Sequence, residues 1–88
     1  MVLWIRRGDR AGLRLAVVSS RKVGGAVVRN RARRRIREAF RLDRHLMKGD
    51  VDVVIVARRA VNSAAFADLQ CELRSLARRA GLIDGERS

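Results

Sequence analysis

The stretch from Ala26 to about Leu46 contains neither glycine nor proline, and it is long enough for about five or six helical turns. At about 100° per residue, Val28, Ala32, Ile36, Ala39 and Phe40 share one arc of about 120°. Arg33, Arg37, Arg41 and Arg44 fall on the opposite side, with Asn30 and Arg34. The pattern predicts an amphipathic helix that needs an apolar surface on one side and presents guanidinium groups on the other. Lys48-Gly49-Asp50 ends it.

The flanking segments supply that apolar surface. Met1 to Ile5 is apolar and carries Trp4 and two β-branched residues. A polar stretch from Arg6 to Arg10 follows, with Gly8 and Gly12 bracketing a turn. Leu13 to Ser20 reads as a second strand, and the pair reads as an antiparallel hairpin with a loop of about five or six residues. Arg21-Lys22-Val23-Gly24-Gly25 is a loop whose two glycines can adopt positive φ. Val51 to Ala57 is the clearest strand. Only Asp52 interrupts it, so both faces of the remainder look buried, as in a central strand or one covered by helices. Asn62 or Ser63 can cap a last helix, Ala64 to Ala80, striped by Phe66, Leu69, Leu73 and Leu76, with Cys71 off the stripe and Ala77 beside it. Gly81 suits the position just past the helix, and residues 82–88 read as a frayed tail. The order is β-β-α-β-α, an α/β (α+β) chain whose residues 1–88 form a single domain.

Charge narrows the function. Lys and Arg number 21 against 9 Asp and Glu, a net charge of +12, and only Lys22 and Lys48 are lysines. A hydrophobic fraction of 48% excludes a disordered basic tail. No apolar run approaches a membrane span, and no secretory segment is visible. The single cysteine excludes an internal disulfide framework and a multi-cysteine zinc site. A folded, intracellular, basic domain has a polyanion, above all nucleic acid, as its natural partner. The i,i+4 neighbours Arg29/Arg33, Arg33/Arg37 and Arg37/Arg41 are all like-charged. Each such pair costs a few tenths of a kcal/mol, a repulsion that a bound phosphate backbone reverses. Guanidinium binds phosphate in bidentate fashion and stacks on exposed bases, which favours structured RNA. Asn30 fits two roles, hydrogen bonding to a base edge or 2′-hydroxyl, or holding the start of the helix through a local backbone bond.

The run R-N-R-A-R-R-R-I-R-E-A-F-R, Arg29 to Arg41, resembles the RNR motif of the bacterial ribonuclease P protein subunit. The preceding K-V-G-G-A-V-V, the later V-D-V-V-I-V-A-R and the leucine-striped last helix stand in that family's order. The resemblance covers Val2 to about Ala80. It implies a two-layer sandwich with a ribosomal-protein-like fold and a left-handed βαβ crossover. It also implies a cytoplasmic protein that binds the catalytic RNA of ribonuclease P and assists cleavage of the 5′ leader from precursor tRNA. Catalysis is then expected in the RNA, with Mg2+ held mainly there and no catalytic side chain in the protein. By position, Arg29, Asn30, Arg33, Arg34 and Arg37 would face the catalytic RNA, Arg31 and Arg41 would support them, and Lys22 would lie nearby. The cleft between this helix and the sheet would receive the leader. Family members carry a further helix and strand ahead of the segment matched by Val2 to Ile5, bearing aromatic residues that stack on the leader. The expectation is a chain short of those elements, with one sheet face bare and open to self-association. The alternative is a ribosomal or other structural RNA-binding protein. A DNA-binding helix-turn-helix is disfavoured because strands flank the basic helix.

The remaining polar residues have simpler readings. His45 reads as a partner of the last helical carbonyls rather than a metal ligand. Cys71 reads as a buried or half-buried small residue rather than a nucleophile. Asp50 and Asp52 read as solvated strand-end acids rather than a magnesium site, and Trp4 as packing rather than a base platform. Gly24-Gly25 lacks the spacing of a phosphate-binding loop.

Overall fold

The computed structural model describes residues 1–7 and 12–83. Strand β1 spans Val2–Arg7, β2 Arg14–Ser19 and β3 Val51–Ala57; helix α1 spans Ala26–Asp43 and α2 Phe66–Arg79. Short 3₁₀ turns at Arg21–Val23, Arg44–Leu46 and Arg59–Asn62 join them. The basic helix therefore closes three residues before its expected end and continues as a tighter turn.

The sheet order is β1-β3-β2. β3 takes the middle because its apolar side chains serve both faces, as the sequence indicated. β1 pairs with it antiparallel, Val2 opposite Val56 through Arg7 opposite Val51. β2 pairs with it parallel, Arg14 beside Asp52 through Ser19 beside Ala57. The expected β1–β2 hairpin is thus replaced: β3 inserts between the two strands, and α1 is the crossover that makes β2 and β3 parallel. The short spacing between the first two strands favours a hairpin, but the most apolar strand, later in the chain, competes for both their edges. Residues 8–11 of the expected loop lie outside the described residues.

Both helices cover one face of the sheet. Val53, Ile55 and Ala57 point into that layer and are buried with Val17, and α1 adds Ala32, Ile36, Ala39 and Phe40. α2 adds Leu69, Leu73 and Ala77, with Phe66 partly buried beside them. Val28, expected on the buried arc, is exposed near the open start of α1. Cys71, expected to be buried or half-buried, is exposed, since it lies about half a turn from the leucine stripe, on the face of α2 turned away from the core.

Two terminus expectations change. α2 has Ala65 at its N-cap with no side-chain hydrogen bond. The Asn62 side chain donates instead to the Val28 carbonyl (3.0 Å), and Ser63 Oγ to the Ala60 carbonyl (3.3 Å). At the other end Gly81, at φ 83°, turns the chain back. Its N–H donates to the Arg78 carbonyl and that of Leu82 to the Ala77 carbonyl, closing the helix with paired return bonds. Leu82 and Ile83 are then buried in the core, and the Leu82 carbonyl accepts the Lys48 N–H at 2.8 Å. The expected frayed tail is therefore anchored through residue 83, and residues 84–88 lie outside the described residues.

Candidate nucleic-acid interface

The interface is built on α1, and its lead-in sets the helix direction. Ser20 Oγ accepts the Lys22 N–H at 3.3 Å, which closes the 3₁₀ turn. Gly24 follows at φ 146°, and a Cβ there would stand 2.8 Å from Val28 Cγ1. Gly25, at φ −71°, is ordinary extended backbone, so only the first glycine uses a conformation closed to other residues.

One flank of α1 is fastened to β2. Arg33 donates to Ser19 Oγ at 3.1 Å and to Asn30 Oδ1, and Arg44 donates to the Leu13 carbonyl while lying over the Phe40 ring. The other flank is fastened to the connector before α2. Arg35 donates to the carbonyls of Asn62 (3.3 Å) and Ala64 (2.5 Å), and the Arg59 guanidinium holds the Lys22 carbonyl at 3.1 Å. At the far end Asp43 is 2% exposed and accepts two bonds from Arg74 (2.9 and 3.2 Å) and one from Gln70 (3.2 Å). The Arg74 guanidinium, then burial opposing it, then Gln70 set the balance that holds this carboxyl below the usual range; exposed His45 adds a smaller favourable charge.

Between these flanks lies the crown of the helix. Arg31, Arg34 and Arg37 are exposed and have no ion pair or hydrogen bond among the described residues. Arg41 is exposed too, but it donates to both oxygens of Glu38 (3.1 and 2.6 Å), which lowers the Glu38 pKa and raises its own. Arg29 is half-buried, with its Nε enclosed and lacking an acceptor among the described residues. Lys22 is exposed in the lead-in, and Val27 in the first turn of the helix is 81% exposed. Asn30 is exposed, and its oxygen serves Arg33 rather than the helix backbone. The eight residues singled out from the sequence thus lie on one helix and its lead-in, in unequal states of freedom. Arg35 and Asp43 were not singled out. Their partners lie 27 to 31 residues away, and spacing along one helix carries no sign of them.

The acids flanking β3 are occupied. Asp50 accepts the Gly12 N–H at 2.7 Å and Asp52 pairs with Arg6 at 3.4 Å. No cluster of three or more His, Cys, Asp or Glu suited to a metal ion occurs among the described residues. Nor is any described helix long and apolar enough to cross a membrane.

Among the described residues, no helix lies over the opposite sheet face. The register aligns Val2, Val56 and Val18 in one row, Trp4, Val54 and Ala16 in the next, and Arg6, Asp52 and Arg14 in a third. Trp4, expected in the core, is 63% exposed there because its partner Val54 points away from both helices.

Comparison with known proteins gives this arrangement a family. The family model for ribonuclease P matches residues 1–81. The ribonuclease P protein component of Clostridium kluyveri is 38% identical over 84 residues, covering 93% of this chain and 75% of that protein. That of Chloroflexus aurantiacus is 43% identical over 84 residues, covering 94% of this chain and 62% of that protein. Among solved structures, the ribonuclease P protein from Thermotoga maritima superposes with a TM-score of 0.78 at 27% identity, covering 88% of this chain and 74% of that one. With the basic helix, its lead-in and the central strand all inside the matched span, the chain belongs to the ribonuclease P protein family.

Proposed function

We propose that this chain binds the catalytic RNA of ribonuclease P through the crown of α1 and assists cleavage of the 5′ leader from precursor tRNA in the cytoplasm. The observation that carries this reading is the crown itself. Arg31, Arg34 and Arg37 stand exposed with no acid paired to them among the described residues, on a helix that Arg33 and Arg35 fasten to its neighbours. A surface of that kind is stabilised by a polyanion, and a phosphate backbone supplies bidentate acceptors in a continuous row. Lys22, Arg29, Asn30, Arg33 and Arg41 border the crown and complete the RNA-facing set.

The protein's part is electrostatic and geometric: it screens repulsion between catalytic RNA and precursor tRNA and helps position the leader. Mg2+ held by the RNA supplies the hydrolytic chemistry, and no side chain of this chain is assigned to bond cleavage. The test is reconstitution with the ribonuclease P RNA of the same organism. At low magnesium, adding the protein raises the rate of precursor tRNA cleavage, whereas an unrelated structured RNA of equal length is bound more weakly. Absence of stimulation, or equal affinity for both RNAs, would instead favour a general structural RNA-binding role.

A further inference from the structure

Two side chains beside the crown touch the same guanidinium. Ser19 lies at the C-terminal end of β2, and its Oγ accepts from one terminal nitrogen of Arg33 at 3.1 Å. Asn30 lies one turn earlier on α1, and its Oδ1 accepts from the other terminal nitrogen. Arg33 is half-buried, whereas Arg31, Arg34 and Arg37 are exposed. A guanidinium carries five N–H donors in a rigid plane. Gripping one donor on each terminal nitrogen fixes that plane and leaves three donors for an outside acceptor. The free crown arginines, by contrast, lose rotamer freedom when they meet RNA.

We infer that Asn30 and Ser19 are positioning residues that act on RNA through Arg33, holding its guanidinium ready for a phosphate at the seam between α1 and β2. The inference rests on the proposed RNA-binding role of α1. It gives Asn30 a task distinct from both a base contact and a backbone cap. The oxygen that a helix N–H would need is already engaged by Arg33, and the residue sits inside α1 rather than at its N-cap, which is Gly25.

A double-mutant cycle on affinity for the ribonuclease P RNA tests this. Asn30→Ala and Ser19→Ala each weaken binding by about threefold to tenfold, the size of one lost hydrogen bond acting on orientation. Arg33→Ala weakens it further and lowers the salt slope by about one phosphate contact. The decisive expectation is that Asn30→Ala combined with Arg33→Ala binds no more weakly than Arg33→Ala alone, and the same for Ser19→Ala. Ser19→Thr, which keeps the hydroxyl, retains wild-type affinity. Additive losses in the double variants would mean that Asn30 or Ser19 meets RNA directly, which overturns the inference. So would unchanged affinity in Asn30→Ala, or in Arg33→Ala. Arg34→Ala is the control. If it weakens binding while the cycle is additive, only the positioning role fails. If Arg31→Ala, Arg34→Ala and Arg37→Ala all bind as wild type, the RNA-facing role of α1 fails and the positioning role with it.

Discussion

Asp43 stands at the C-terminal end of α1, where the helix macrodipole disfavours a negative charge, and it is almost wholly buried. It persists because Arg74 and Gln70 of α2 supply three hydrogen bonds. The two members of the ion pair differ in what their loss exposes. Arg74→Ala strands a buried carboxylate with Gln70 alone and is expected to lower stability by about 3–5 kcal/mol at neutral pH. Asp43→Ala leaves a guanidinium that is already 39% exposed and reaches water, so about 1–2 kcal/mol is expected. Urea unfolding of the two variants checks the order. The sign of the pH dependence follows from the depressed carboxyl. Its contribution is complete above the unfolded value of about 3.9 and is lost as pH falls through the lower folded value. Asp43→Asn should therefore destabilise at pH 7 and flatten the acid limb of the stability curve. A limb of wild-type steepness would assign acid sensitivity to another carboxylate. None of this was legible in the sequence, where Asp43 was only the acid two places before His45. A buried ion pair is written in tertiary distance, not in spacing.

At the level of elements, α1 divides its arginines between anchorage and display, and the two groups should separate experimentally. Arg35 holds the Asn62 and Ala64 carbonyls, so Arg35→Ala is expected to cost about 1–3 kcal/mol of stability while leaving the salt slope of RNA binding unchanged. The triple variant Arg31→Ala, Arg34→Ala and Arg37→Ala should do the reverse. Its thermal midpoint stays at or above wild type as like-charge repulsion is relieved, while the slope of log affinity against log salt flattens by about two to three units. The lead-in loop makes a parallel contrast. Gly24→Ala meets both a left-handed φ and the Val28 side chain and is expected to destabilise by about 1–3 kcal/mol. Gly25→Ala meets open space at an ordinary φ and is expected to be neutral or to stabilise by a few tenths of a kcal/mol. Thermal melts of the two variants decide the point. The helix, its buried arc and the central place of β3 were legible because hydrophobic period encodes them. The β1–β3–β2 order was not, because period says which residues are buried and is silent on which strand edges meet. The division of the arginines was hidden for a related reason: an anchor and a displayed residue are the same letter, distinguished only by which carbonyl lies within reach.

Taken whole, the molecule has a charged side and an apolar side with the sheet between them. The two helices occupy one face, and α1 carries the unpaired crown outward. The other face presents Trp4, Val18 and Val56 above the row of Arg6, Asp52 and Arg14. A groove there is lined by Arg6, Arg14, Ala16, Asp52 and Val54. Two occupants compete for such a surface, a second copy of the chain and an unpaired RNA strand. Three strands about 4.8 Å apart and six residues long present a plane of only about 300 Å². A stable interface needs roughly 800 Å² from each partner, so the face alone falls well short of holding a dimer. A net charge of +12 on each copy opposes the approach further. For an unpaired strand the same features work in the other direction: an exposed indole offers a stacking platform, and Arg14, in the next row on the other edge strand, offers a phosphate donor. Trp4 is the only tryptophan, so its emission reports this face without a label. At micromolar concentration the isolated protein is expected to sediment as a monomer with Trp4 emission independent of protein concentration. Single-stranded RNA should quench that emission, and Trp4→Ala should weaken its binding by about tenfold or more, the worth of one base-aromatic stack. Concentration-dependent blue-shifted emission together with a dimeric sedimentation coefficient would assign the face to self-association instead.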